Sequence, residues 1–251
     1  MSNLGLENKP GDDNMKNIME LGASWIWTTR EQEDANQHAE FRHEFELDYV
    51  WGNDYKLYIS ADSDYVVWLN GTFVACGQYS DYPHDKVYDM LDVKSFLRTG
   101  KNALCIMVYY QGESSSKYLK GEPGLWYALD VGHHHIVSDE QVYCRKSAPY
   151  KNGPVPKITV QLSFTYEYDA RKEDDWRSLD YKMGDDWHLS CIRDRALGGK
   201  EFTFEKRPIK KLDIKDRLNS SIIAQGKFIR AEGDEHTVAH FTRTDLPRLL
   251  D

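Results

Sequence analysis

Ile59-Ser60-Ala61-Asp62-Ser63-Asp64-Tyr65-Val66-Val67-Trp68-Leu69-Asn70-Gly71-Thr72-Phe73-Val74 is the stretch that sets the fold class. Its alternating strand pattern ends in a Leu-Asn-Gly turn and restarts as Thr-Phe-Val, the signature of a β-hairpin closed by a tight turn. Asn and Gly tolerate the positive φ that such a turn demands. Runs of the same character on either side predict strands near 41–47, 55–61, 65–69, 72–76, 103–110, 125–131 and 136–145. Turn signals separate them at Trp51-Gly52-Asn53-Asp54, Thr99-Gly100-Lys101-Asn102 and Val131-Gly132-His133. A single helical turn is predicted over Asp92–Leu97, with Asp92 capping its first amides and Gly100 ending it. Closely spaced short strands of this kind predict a sandwich or jelly roll.

The run from Ser147 to Pro156 holds three prolines and one glycine, which disfavours both a helix and a central strand. A domain boundary is therefore placed at 147–157. After it, Lys157 to Tyr168 alternates and restarts β-structure, and Ser220–Ala224 and Lys227–Ala231 are strand-like. The predicted fold class is all-β, with two consecutive β-sandwich domains: a disordered segment over 1–19, a first sandwich over 20–146, a linker over 147–157 and a second sandwich over 158–251 that stops without an obvious packing partner.

Bulk properties narrow the functional classes. Forty-one acidic against thirty-two basic residues give a formal charge of −9, which repels phosphate backbones and anionic membrane surfaces, so neither nucleic acid nor membrane is an expected partner. The one basic cluster, Lys206 to Lys211, is interrupted by Pro208 and Ile209 and reads as a solvated edge. No run approaches the ~20 apolar residues of a membrane span. Met1 to Asn17 is polar, without the apolar core of a signal peptide, so a cytoplasmic location is expected. Cys76, Cys105, Cys144 and Cys191 stand far apart with no Cys-x-x-Cys spacing, which gives zinc or redox chemistry no support. Cys105 lies within an apolar run and reads as a small hydrophobe.

An ordered series of segments adds to this reading. Ala23-Ser24-Trp25-Ile26-Trp27, Phe41 to Leu47, Val87 to Val93, Leu97 to Leu104 and Gly124-Leu125-Trp126-Tyr127 stand in an order and spacing that resembles the N-terminal β-sandwich modules of bacterial α-L-rhamnosidases, glycoside hydrolases of the family 78 type. Ser138-Asp139-Glu140, Gln161 to Phe164, Tyr168-Asp169-Ala170-Arg171 and Asp185-Asp186-Trp187 resemble the second β module of the same family, so the likeness extends over roughly 20–212. The resemblance implies jelly-roll, galactose-binding-like sandwiches, rhamnose-containing glycans as partners, and catalytic acids in a helical domain of the same enzyme. No long amphipathic helices for such a domain occur in this chain.

Glycoside hydrolysis usually needs two carboxyl groups ~5–5.5 Å or ~6.5–9.5 Å apart. The close pairs Asp62/Asp64, Glu167/Asp169, Asp174/Asp175 and Asp185/Asp186 are read as turn caps or solvated charges, because a chain with forty-one acidic residues makes such pairs inevitable. No catalytic residue is assigned and no cofactor is expected, with calcium on Asp62 and Asp64 as the one metal hypothesis. His133-His134-His135 follows Gly132 in a predicted turn and reads as solvated. Sugar contact needs aromatic rings for apolar sugar faces beside polar groups for hydroxyls. Two loops mix both: 77–85, with Tyr79, Asp81, Tyr82 and His84, and 109–118, with Tyr110, Gln111 and Tyr118; together they are expected to form one rim. Arg171 is expected to be an interdomain or buried ion-pair residue, whose loss harms folding. The function expected is a non-catalytic, carbohydrate-associated region that binds sugar weakly or braces a catalytic domain. A self-contained glycoside hydrolase and a purely structural module are the alternatives.

Overall fold

The computed structural model describes residues 18–52, 54–159, 161–193, 196–197, 200–212 and 221. Among them the strands run β1 (Ile26–Trp27), β2 (Gln37–Leu47), β3 (Lys56–Asp62), β4 (Asp64–Leu69), β5 (Thr72–Cys76), β6 (Asp85–Asp92), β7 (Gly100–Tyr110), β8 (Gly124–Asp130), β9 (His135–Val137), β10 (Tyr143–Lys146), β11 (His188–Leu189), β12 (Cys191–Ile192), β13 (Ala196–Leu197), β14 (Lys200–Glu201) and β15 (Thr203–Lys206). Among the described residues, helical structure is confined to three short 3-10 turns, at Ile18–Leu21, Lys94–Phe96 and Ala170–Lys172. None of these is long and apolar enough to cross a membrane.

Two sheets carry the fold. One has the order β12-β1-β8-β3-β6-β15, with β9 paired to β8; the other has the order β11-β10-β2-β7-β4-β5. Their strands pair antiparallel, except that β15 joins β6 in parallel. The period-two pattern explains the packing. Leu57, Ile59 and Ala61 of β3 and Leu125, Tyr127 and Leu129 of β8 meet Tyr65, Val67 and Leu69 of β4 and Leu104, Ile106 and Val108 of β7 in one buried core between the sheets. The all-β sandwich expected from the alternation is what the chain forms.

Both outer faces are covered as well. Ile18, Leu21, Trp25 and Phe202 cover Trp126 and Ala128 of the first sheet, and Trp176 and Trp187 cover Ala103 and Cys105 of the second. Strands β7 and β8 are thus apolar on both sides, which is why Ala103 to Val108 and Leu125 to Leu129 read as nearly continuous apolar runs.

The Leu-Asn-Gly turn joins β4 to β5 with Leu69 opposite Thr72, and Asn70 (φ 52°) and Gly71 (φ 80°) both take positive φ. Asn70 does more than turn the chain. Its Oδ1 accepts the Ala103 N–H at 2.9 Å, and its Nδ2 donates to Phe96 O and Asn102 Oδ1, both at 2.9 Å, so the hairpin is pinned to β7.

Several expectations need correction. The strand expected over 136–145 is two: β9 belongs to one sheet and β10 to the other, because Ser138 between them spends its backbone and hydroxyl on Tyr127 and Ser24. Strand β6 escaped notice because Lys86 and Asp89, both buried, spoil its apolar pattern. The alternating run 157–168 makes only isolated bridges, Lys157 with Phe164 and Tyr150 with Tyr168, and leaves Ile158, Leu162 and Tyr166 exposed. The helical turn at Lys94–Phe96 is present, with Asp92 Oδ1 accepting the Lys94 N–H at 3.2 Å.

The 147–157 stretch, read above as a linker, is strapped to β2. Ser147 N donates to His38 O, Gly153 N to Asn36 O, and Asn36 Nδ2 to Lys151 O and Gly153 O. Beyond it, β11, β12 and β15 return to pair with β10, β1 and β6, so the change in composition at 147–157 is not a break in strand pairing. Residues 1–17 and, apart from Ser221, all of 213–251, including the strands expected at 220–224 and 227–231, lie outside the described residues. Ile18 to Leu21, at the edge of the expected disordered segment, forms a 3-10 turn with Ile18 and Leu21 buried.

One consequence is a dependence on pH. His38 on β2 stacks on Tyr150 (4.3 Å, 9°) and lies tilted at 38° to Tyr109 (4.8 Å), and burial holds its pKa down at about 4. Above pH ~6.5 the ring is neutral in the folded and unfolded states alike; between ~6.5 and ~4 only the unfolded chain takes the proton, so stability falls by up to ~3 kcal/mol as pH drops through that window. Urea titrations across this range should show the loss in the native protein and a smaller one in His38→Phe. Equal slopes in the two proteins would refute the assignment.

Candidate functional site

The loops at 77–85 and 111–123 meet at one end of the sandwich, and a buried lysine holds them there. Lys86, the second residue of β6, is 1% exposed. Its ammonium donates to Asp62 Oδ2 at 3.0 Å and to Asp81 Oδ1 at 2.9 Å, and lies 5.8 Å from the Trp25 ring. Asp62 ends β3, and its other oxygen accepts the Tyr118 hydroxyl and Ser63 Oγ. Asp81 Oδ2 accepts the Val87 N–H at 2.8 Å and Gln78 Nε2 at 3.1 Å. Ser80 Oγ donates to Lys117 O at 2.7 Å, a direct tie between the loops. Gly121 completes the packing, because a Cβ there would lie 2.3 Å from Asp62 Oδ2.

The electrostatics follow from burial and pairing. Burial pushes the Lys86 pKa down, but the two carboxylates outweigh it and hold the ammonium above its ordinary value. Burial raises Asp81 above the usual carboxylate range in spite of Lys86. Burial, then the Asp62 charge, raises the Tyr118 phenol, which is therefore a protonated donor at neutral pH. Every oxygen of Asp62 and Asp81 has a hydrogen-bond partner within the protein. The cluster is built to brace two loops.

The residues singled out in the sequence separate into three groups. Asp81 and Tyr118 belong to the brace. Tyr110 and Gln111, expected on the rim, are core residues: Tyr110 is 1% exposed, packs 6.1 Å from Trp27 and donates to Gly121 O, and Gln111 is 4% exposed with Nε2 on Glu113 O. Tyr110 continues the inward set Leu104, Ile106, Val108 of β7, which dictates its direction. Tyr79, Tyr82 and His84 remain on the rim. Tyr82 is 62% exposed, Tyr79 lies beneath the Arg207 guanidinium at 5.4 Å, and His84 sits 3.3 Å from the Asp85 carboxylate.

Of the calcium candidates, Asp62 already faces a cation, the Lys86 ammonium, while Asp64 opens β4 opposite Tyr109 of β7. Among the described residues no group of three or more His, Cys, Asp or Glu is arranged to hold a metal. His133 and His134 stand exposed in the turn between β8 and β9. The four cysteines are free, and burial pushes the Cys105 thiol up to about 12, which leaves it inert at neutral pH.

Arg171 is corrected outright. Its side chain is 89% exposed and pairs with Asp169, two residues away, at 2.7 Å. Arg171→Ala should leave the melting temperature unchanged in a thermal melt, and a drop of several degrees would show a partner beyond Asp169. The buried arginines are instead Arg42, which donates to Glu44 and Trp176 O, and Arg145, which binds Glu40, Asp174 and Asp186. Lys86 and Arg145 were not legible in the sequence because a lone basic residue in a strand does not reveal which acids it meets, at separations of 5 and 24 residues for Lys86 and 29 to 105 for Arg145.

No protein-family profile and no curated protein matches this sequence. Solved structures do. The family 78 rhamnosidase of Bacillus sp. GL1 matches with a TM-score of 0.66 and 26% identity over 73% of this chain and 20% of that one. The chain is similar to family 78 rhamnosidases. Two further rhamnosidases share the fold: the α-L-rhamnosidase of Dictyoglumus thermophilum (TM-score 0.57, 19% identity, 76% of this chain and 22% of that one) and that of Aspergillus terreus (0.53, 22%, 68% and 21%). This rhamnosidase-like chain spans about a fifth of the length of each.

Proposed function

We propose that this chain is a non-catalytic, carbohydrate-associated β-sandwich region of an α-L-rhamnosidase-like glycoside hydrolase. It braces a catalytic domain and touches rhamnose-containing glycan weakly through the rim of Tyr79, Tyr82 and His84. The observation that carries this reading is the match to the Bacillus rhamnosidase, which takes in 73% of this chain but 20% of the enzyme. The loop brace supports it, since Asp62 and Asp81 are spent on Lys86 and do not face each other across an open cleft.

An assay of the purified chain on an aryl α-L-rhamnoside, beside a calorimetric titration with L-rhamnose, tests the proposal. The expected result is no turnover and millimolar binding. Hydrolysis that disappears in Asp62→Asn or Asp81→Asn would make the chain an enzyme by itself. Blotting the native polypeptide tests the bracing role: a species several times larger than 29.2 kDa is expected, and one at 29.2 kDa would remove it.

A further inference from the structure

Tyr150 and the segment 174–187 cover part of the outer face of the six-stranded sheet, and their packing leaves a gap between Tyr150 and Trp176. The gap is a cavity of about 240 Å3. Trp68, Tyr150 and Trp176 form aromatic walls, and Glu173 and Arg177 supply charge, while Glu40 and Asp174 in the same lining are held by Arg145. Trp68 stands one residue before the end of β4 and meets Trp176 edge-on at 5.8 Å. Arg177 lies 5.2 Å over the Trp68 ring and 3.5 Å from Glu173.

We propose that this cavity holds one neutral pyranose ring at the end of a glycan. The proposal rests on the carbohydrate-associated reading and adds to it a place separate from the loop rim. Its chemistry fits on three counts. Indole and phenol rings accept the C–H face of a sugar, while the Glu173 carboxylate and the Arg177 guanidinium take its hydroxyls. Arg177 pairs with Glu173, and Arg145 holds Glu40 and Asp174, so the walls offer no unpaired cation for uronates or sulfated or phosphorylated sugars. The volume lies below the ~300–1,000 Å3 of drug-sized sites, which suits a single ring.

Pro149 and Tyr150 also line a shallower hollow of about 450 Å3 that reaches Lys151 and Tyr168. Because Arg177 already stacks on Trp68, an entering sugar has to share or displace it, and the affinity is millimolar.

Isotope-labelled tryptophan gives the readout, because the chain has seven indoles that report separately. L-rhamnose and methyl α-L-rhamnoside are the probes, titrated to saturation, with Trp68→Phe and Trp176→Phe assigning two signals. The expected result is saturable movement of the Trp68 and Trp176 indoles, weakened roughly tenfold by Glu173→Gln. A response that survives Glu173→Gln but is lost in Tyr82→Ala would put the sugar at the loop rim; it overturns the cavity site and leaves the carbohydrate-associated reading standing. No indole movement with either probe also overturns the cavity site. If calorimetry is then flat as well, the sugar-contact half of the proposed function falls with it, and the bracing half still stands or falls on the native size.

Discussion

Lys86→Met should cost roughly 3–5 kcal/mol, because it leaves the carboxylates of Asp62 and Asp81 buried without their cation. For a domain of this size that is a fall of roughly 6–20 °C in melting temperature. The loss should exceed that of Asp62→Asn or Asp81→Asn, since each of those leaves Lys86 one carboxylate. A triple variant that removes all three charges should recover much of the deficit, because the cost lies in unpaired buried charge rather than in missing attraction.

The pH dependence provides an independent check. Burial already holds Asp81 above the usual carboxylate range, and without Lys86 it rises further. A carboxyl whose folded pKa exceeds its unfolded value favours the folded state at low pH and loses that contribution as pH rises through the folded pKa. The deficit of Lys86→Met should therefore narrow as pH falls from neutral towards ~4. A deficit under ~1 kcal/mol that does not change with pH is what an exposed ion pair would give, and it would show that the brace is not a buried cluster.

Arg145→Met is expected to cost a comparable amount, roughly 3–5 kcal/mol, most of it through one partner. The guanidinium donates to Glu40 at 2.7 Å, Asp174 at 2.8 Å and Asp186 at 2.7 Å, and lies 4.6 Å over Trp187. Asp174 and Asp186 are 34% and 56% exposed, so solvent screens those pairs; Glu40 is 1% exposed and carries the penalty. Burial already raises the Glu40 pKa, although Ser147 and Arg145 counter it.

Arg145→Lys should rescue little, because one ammonium cannot serve three carboxylates that a planar fork reaches together. Arg145→Met with Glu40→Gln should recover part of the loss. Amide exchange should show where the damage falls: faster exchange in 174–187, the segment Arg145 ties to the sheet, with β7 protected as before. Uniform acceleration across both sheets would mean that Arg145 supports the whole sandwich rather than this cover.

Local pattern made part of this legible in the sequence. Alternation in β4 follows from burial of one face, the continuous apolar runs of β7 and β8 from burial of both, and the Asn70-Gly71 turn from the two positive φ angles that close a two-residue hairpin. The direction of Tyr110 was legible too, since it continues the inward set of β7, but its place beside a polar loop drew it to the rim. The exposure of Arg171 was not legible, because an Arg beside an Asp reads the same whether the pair is buried or solvated.

The sequence alone determined the strand period, the tight turn, the all-β class and the two loops that converge at one end of the sandwich. Tertiary structure alone decided that Lys86 binds Asp62 and Asp81, that Arg145 reaches Glu40 across 105 residues, and that strands after the proline-rich stretch return to the sheets before it. The physical reason is range. Alternation and turn φ angles depend on neighbours a few residues apart, whereas the pairing of buried charges and the choice of edge strand depend on which distant surfaces meet once the core has closed.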